Sequence, residues 1–468
     1  MPTLGKFAEL ERQQIFFAER SKLNDPLEGL KSLFWLGDAV LWENLFRHYI
    51  GCFYYAACVL VIAGEDHPIG WQHVPLSSPL AAARTPLERE LIEELTSVFL
   101  SHEAVKSLIE VLGKRKGPIR ANELRAYLVT LHPLAIFEVL ALLRQRGLFK
   151  GASSPEAHAE VSVATKRVVQ LATLSESLDL ETDGHADARE AIFAVQTNVS
   201  RQLDLVNRYN LSHGGSAANR AFALFDFPHD YPEKLEQLVY PEFYTACFSA
   251  TYANSSVWGH YGDGHRGACL IFNAEAMQGH NAIALRRLVS EGAGGPIQDI
   301  RHHIFYPVRY QGVVPEADFF GMLGMLTVPT INAEWYHTRD KVRTSRADCT
   351  LDPREDRLRS HWEGFERYIT TKSNDWAYEE ELRLTWHSAV FDLSDDARRV
   401  TTYDFKSLHG IAFGIKTSAE DKIEIMRIID QKCADMQRRD FKFYQAYYAP
   451  ETATIKLAEL GLIKFSQS

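Results

Sequence analysis

Cysteine is scarce in this chain, and none of it is paired along the sequence: Cys52, Cys58, Cys247, Cys269, Cys349 and Cys433 are scattered through 468 residues with no C-x-x-C. That distribution excludes a zinc ribbon and a disulfide framework, so the thiols read as reduced and mostly buried. Positive charge is short as well. With 51 basic against 61 acidic residues the formal net charge is −10, which excludes a chain whose whole surface neutralises phosphates. Neither common glycine-rich phosphate loop is present, G-D-G-H at 262–265 being too short for either, and no G-x-S-x-G elbow surrounds Ser249. The most apolar run, 50–63, is broken by Gly51 and falls short of a membrane span, and the first residues lack a signal-peptide core. The expectation is a cytoplasmic protein with no membrane partner.

Residues 244–272 are the densest concentration of aromatic, imidazole and glycine side chains. Both ends are apolar and read as short strands, while the polar, glycine-punctuated middle reads as a loop or short helix presenting Trp258, His260 and Tyr261 to one place. In a ligand pocket, Tyr252, Trp258 and Tyr261 would sandwich a flat ring, His260, His265 and Arg266 would meet a phosphate or ribose hydroxyl, and Ser249 would sit at the lip of its strand. In the plain alternative Trp258 and Tyr261 are core and His260 is a satisfied core histidine. A metal set of His260, Asp263, His265 and Cys269 matches no ordinary ligand spacing, so no metal is expected.

Elsewhere the pattern is α+β. Residues 15–18 read as strand, Asn24-Asp25-Pro26 as a turn starting a helix, and 27–63 as a core-facing helical stretch. After a connector at 65–86, helical periodicity returns at 87–112, 121–148, 161–180 and 186–209. The second of these superficially suggests a winged-helix module, with Lys114, Arg115, Lys116 and Arg120 as phosphate contacts or, more plainly, a solvated basic loop. Strands are expected at 304–314, 371–386, 408–415 and 441–456, and helices at 319–328 and 419–438. This gives a mixed, largely antiparallel sheet core built from both ends of the chain (10–60 and 235–468) around a large helical insertion (61–234).

Two carboxylates on the 371–386 strand, Glu379 and Glu381, would lie about 7 Å apart on one face with Arg383. Structurally, Arg383 neutralises them and Lys372 contributes. Functionally, the pair would stabilise a developing positive charge such as the oxocarbenium-like ribose formed when nicotinamide leaves NAD. In another reading Asp375, Glu379 and Glu381 bind a divalent cation for nucleic-acid cleavage.

Three boxes, L-N-D-P-L-E (23–28), C-F-S-x8-W-G-H-Y-G-D-G-H-R-G-A-C-L-I-F (247–272) and K-x3-W-x-Y-E-x-E-L-R-L (372–384), together resemble the bacterial domain of unknown function 2971. The G-I-x-F-G-I segment at 410–415 is similar to that family too, and the resemblance spans about residues 10–60 and 235–455. The order of these elements is in turn similar to the Arg-Ser-Glu arrangement of ADP-ribosyltransferases. That likeness implies NAD as substrate, with Glu381 on the nicotinamide ribose, Glu379 orienting the acceptor, Ser249 supporting the carboxylate, and Arg20 or Asn24 on the phosphates. Tyr252, Trp258, Tyr261 and Arg383 would complete the NAD site. It further implies a transferase acting as a toxin or anti-phage defence effector, its helical insertion recognising a protein or nucleic-acid acceptor. A non-catalytic module holding a small-molecule ligand or nucleotide is the rival of a different class.

Overall fold

The structure is a computed structural model describing residues 9–25, 32–151, 155–179, 185–213, 217–277, 279–312, 315–347, 355–388 and 392–462. The helix expected after Asn24-Asp25-Pro26, the Pro26 to Glu28 end of the first box and Cys349 lie outside them. The fold is mixed α+β with mostly antiparallel sheets, and the chain divides into two compact units: Met1–Leu30, Pro241–Pro315 and Phe365–Ser468, and Lys31–Tyr240 with Glu316–Gly364.

The first unit holds the sheets that matter for the site. Strand Phe243–Ser249 pairs antiparallel with Glu381–His387, flanked by Ala18–Glu19 on one side and Tyr306–Pro307 on the other. A second sheet runs Thr454–Glu459, Lys442–Ala449, Leu408–Phe413, Ala268–Phe272. Tyr244, Leu384 and Trp386 from the first sheet, Ile411 and Phe443 from the second, and Phe17 just before Ala18–Glu19 are buried in one shared core. Burying such side chains stabilises by roughly 1.5–3 kcal/mol each, which is why the alternate positions of these strands are apolar. Gly410 is required where Leu408–Phe413 pairs in parallel with its neighbour, because a methyl there would overlap the Lys442 carbonyl oxygen. A long hairpin, His280–Gly292 with Gly295–Ile304, extends a further sheet.

The second unit is chiefly helical. Helix Ala39–Ala63 is capped by Asp38, whose carboxylate accepts the Leu41 N–H at 3.2 Å. It packs with Pro86–Ser101, Glu103–Lys114 and Ala121–Gln145. Ala39–Ala63 and Ala121–Gln145 are each long and apolar enough to cross a membrane, and 61% and 56% of their most apolar windows are buried inside the protein. Helix His185–Ser212 leaves a row of apolar side chains exposed: Ile192, Val195, Val199, Leu203, Val206 and Tyr209.

The structure differs from the sequence-based boundaries in three places. Residues 32–60, expected with the sheets, belong to the helical unit, because their apolar side chains face the other helices. Residues 316–364 join that unit as well, since Glu316–Asp318 pairs with Ser32–Trp35. The helix expected at 319–328 is a series of turns, with Gly321 and Gly324 interrupting the apolar residues, and helix begins only at Val328–Ile331. The basic run at 114–120 is not a free patch either. Arg115 is buried on Glu123 at 2.7 Å, and Arg120 reaches Glu316 at 2.7 Å.

Glu123 also accepts the Tyr127 hydroxyl at 2.7 Å and faces Arg189 Nε at 3.5 Å, so its loss strands buried guanidinium groups. Glu123→Ala is expected to cost about 3–5 kcal/mol in urea unfolding. Lys114→Ala, on the solvated side of the same turn, should change stability by less than about 0.5 kcal/mol.

Candidate functional site

The central box folds as expected into strand, short helix and strand: Phe243–Ser249, Ser255–Tyr261, Ala268–Phe272. Asn254 caps the helix by accepting the Ser256 N–H at 2.8 Å. The chain then reverses through Asp263, Gly264 and His265, all at positive φ (49°, 60° and 71°). Gly267 donates to the Gly262 carbonyl at 2.7 Å, and Lys416 donates to that of His265 at 2.9 Å. The glycines of G-D-G-H-R-G therefore serve close backbone packing, and no phosphate cradle is needed to explain them.

The second half of the site is built at 371–383. Thr371–Lys372 pairs in parallel with Arg309–Tyr310, and a 3₁₀ turn, Asn374–Glu379, follows. Glu380 then adopts a left-handed conformation (φ 45°) before the strand starts at Glu381. Glu379 and Glu381 are thus not neighbours on one pleated face, as the alternation implied. The left-handed residue between them turns both carboxylates onto the same cation.

That cation is Lys372. Its ammonium lies 2.6 Å from Glu379 Oε2 and 3.1 Å from Glu381 Oε2. Arg383 supplies a second positive charge, its Nε donating to Glu381 Oε1 at 2.7 Å and another guanidinium nitrogen to Oε2 at 3.1 Å, while the remaining arm reaches the Ile369 carbonyl at 2.7 Å. All four side chains are buried, Glu379 at 4% and Glu381 at 5% exposure. Burial raises the Glu381 pKa, but Arg383 and Lys372 outweigh it and hold the carboxyl down at about 2. Both carboxylates therefore sit next to fixed positive charge, and the quartet is electrically balanced.

Hydroxyl groups finish the shell. The Tyr261 phenol donates to Glu379 Oε1 at 2.6 Å and accepts from Asn24 Nδ2 at 2.9 Å. Burial, with the Glu379 carboxylate beside it, pushes the Tyr261 pKa well up. Tyr310 OH accepts the Glu381 N–H at 2.8 Å. Outside the quartet lies a rim of rings. His260 Nδ1 meets Tyr378 OH at 2.9 Å, the His260 and Trp376 rings are 6.4 Å apart, and Lys372 lies 4.8 Å from the centre of Trp376.

The expected site residues therefore divide. Glu379, Glu381, Arg383, Tyr261 and Asn24 meet in one cluster, and His260 stands on its rim. Ser249 is directly opposite Glu381 in the strand register, but its hydroxyl donates to backbone, to the Glu379 carbonyl at 2.9 Å and the Thr251 carbonyl at 2.7 Å. Trp258 does not face the cluster. It is 5% exposed, packs on Ala412, Ala446 and Ile455, and donates its indole N–H to the Tyr252 carbonyl at 2.8 Å, so the plain core reading holds for it. Tyr252 is exposed, and the ring sandwich with Trp258 does not form. Arg20 lies in the 3₁₀ turn Arg20–Lys22, just after the strand Ala18–Glu19 that runs toward Phe243 and away from Ser249, and contacts the Tyr368 hydroxyl at 3.5 Å. Tyr310, Trp376 and Tyr378 were missed. Only the parallel pairing of 309–310 with 371–372 and the 3₁₀ turn bring them in, and neither has a periodic signal.

Among the described residues no three of His, Cys, Asp and Glu gather as metal donors. Within the cluster, the positive charges of Lys372 and Arg383 beside both carboxylates repel a divalent ion.

With this geometry in view, the family comparison is specific. Residues 257–384 match the family described as Protein of unknown function (DUF2971). That segment is a DUF2971 sequence. The match runs from the short helix to the Arg383 strand and so includes His260, Tyr261, Lys372, Glu379, Glu381 and Arg383, residues that the fold brings together from both of its ends. No curated protein and no solved structure matches the chain.

The depressed Glu381 pKa fixes a pH dependence. A carboxyl at about 2 in the folded protein and 4.5 as its ordinary value adds stability above pH 4.5 that is lost as pH falls toward 2. The loss should be on the order of 3 kcal/mol, seen as a falling urea midpoint across that window. Glu381→Gln should flatten the slope while lowering stability at neutral pH.

Proposed function

We propose that the sheet unit is an NAD-consuming, ADP-ribosyltransferase-like enzyme of the DUF2971 family, with Glu381 as its electrostatic centre. The observation that carries this reading is a buried carboxylate, kept ionised, at the first position of a strand and in register with a serine on the neighbouring strand. When the bond between ribose C1′ and the nicotinamide nitrogen breaks, the electron pair leaves with nicotinamide and the ribose becomes cationic. A carboxylate that is already charged and already oriented stabilises that cation without reorganising. An acceptor hydroxyl, amine or water then adds at C1′ and releases a proton.

In this reading Glu379 orients the acceptor, and Tyr261 and Asn24 set the position of Glu379. Each carboxylate has about four lone-pair sites, so the bonds to Lys372, Arg383 and Tyr261 leave acceptor capacity for a ribose hydroxyl. The exposed rings of Tyr261 and His260, with Trp376 and Tyr378 beside them, supply the flat surface that a nicotinamide or adenine ring requires.

A second reading is favoured by the charge balance. Two cations match two anions inside the protein, and such a quartet serves to fix the strand ends while the ring-lined rim holds a nucleotide without turning it over.

Incubation with NAD separates the two. The enzymatic reading expects nicotinamide release that falls at least about 100-fold in Glu381→Gln with the protein still folded. Calorimetric NAD binding without release supports the second reading, and the absence of both binding and release rejects the pair.

A further inference from the structure

Helix His185–Ser212 is amphipathic in the reverse of the usual sense, in which a surface helix keeps its apolar stripe inward and its charges outward. Most of its charges point in. Arg189 lies 3.5 Å from the buried Glu123, Glu190 accepts from Asn122 at 2.6 Å, Asp204 reaches His229 at 2.6 Å and Arg208 pairs with Asp226. Phe193 and Thr197 are buried on the same side.

The opposite side is apolar and faces solvent. Its large side chains, from Ile192 at 47% to Leu205 at 68%, are half to two-thirds exposed. Ile192, Val195, Val199, Gln202, Val206 and Tyr209 follow one another at three and four residues in turn, the period with which one helix meets a second. The positions flanking this seam, Ala191, Asn198 and Leu205 on one edge and Gln196, Leu203 and Asn210 on the other, are all uncharged.

These features select the occupant. A seam without charge sets no like charges against each other when it meets its own copy, and it gives a charged partner nothing to match. Gln202, the polar residue in mid-seam, carries both donors and an acceptor, so two copies satisfy each other's amides near a two-fold axis. The exposed parts of the apolar side chains come to roughly 700 Å² per copy, against about 800 Å² per partner in a standard stable interface. A membrane surface fits less well, since an interfacial helix keeps Lys and Arg on its polar face and here Arg189 and Arg208 are paired inside the unit. We propose that a second copy of this chain docks on this face, the two helices packing seam to seam about a two-fold axis.

Sedimentation of the full chain from about 1 to about 100 μM tests this. The expected mass at the upper end is twice the 53.1 kDa of one chain. Val199→Glu combined with Val206→Glu, at positions 50% and 56% exposed, should return the mass to that of one chain with the circular dichroism unchanged. Val98→Glu, at an exposed position of helix Pro86–Ser101, should keep the doubled mass. The wild-type mass decides even if a variant fails to fold. A wild-type chain that stays single throughout overturns the proposal, and its flotation with phosphatidylcholine vesicles would then give the face to a lipid surface. A double variant that is folded and still of doubled mass overturns it as well, because the copies would meet elsewhere.

Discussion

The contact of one lysine with two carboxylates organises the sheet unit around the candidate site. Lys372 stands on a two-residue strand, Glu379 closes a 3₁₀ turn and Glu381 opens the next strand, so three short backbone segments converge on one ammonium group. The first two are too short to be held by their own hydrogen bonds, whereas the third is paired along its whole length with Phe243–Ser249. Charge inside a poorly solvated environment holds those two to it, and the same charge fixes Glu381 as an anion. Removing any member leaves an uncompensated ion, so the cluster is either complete or strongly destabilising.

Much of the sheet unit was legible in the sequence. The apolar ends of 244–272 and the segments 408–415 and 441–456 read as strands, and the glycine-punctuated middle of 244–272 as a loop or short helix, which the structure resolves as strand, short helix and strand. The meeting of Tyr261 with the late acidic segment, more than a hundred positions away, was implied only by the resemblance that placed both in one site. Residues 257–384, which the family match covers, contain both halves.

What was not legible has a common cause in residues whose local pattern points one way and whose backbone goes another. Alternation placed Glu379 and Glu381 on one strand face, but the left-handed Glu380 breaks the strand between them and is marked by no glycine. Trp258 shares a helix with Tyr261 at a spacing of three, yet the helix is amphipathic across those positions, with indole to the core and phenol to the carboxylate. Arg115 reads as part of a solvated basic run, but its guanidinium meets Glu123 eight positions later on the following helix. A one-dimensional charge pattern does not encode such long-range pairings.

The most direct measurement on the central claim is a double-mutant cycle between Lys372→Met and Glu379→Gln, read by urea unfolding at neutral pH. A shared buried ion cluster requires the two changes to be non-additive, with a coupling of about 1–3 kcal/mol. Effects that add within about 0.5 kcal/mol would mean that lysine and carboxylate act independently, and would contradict the account.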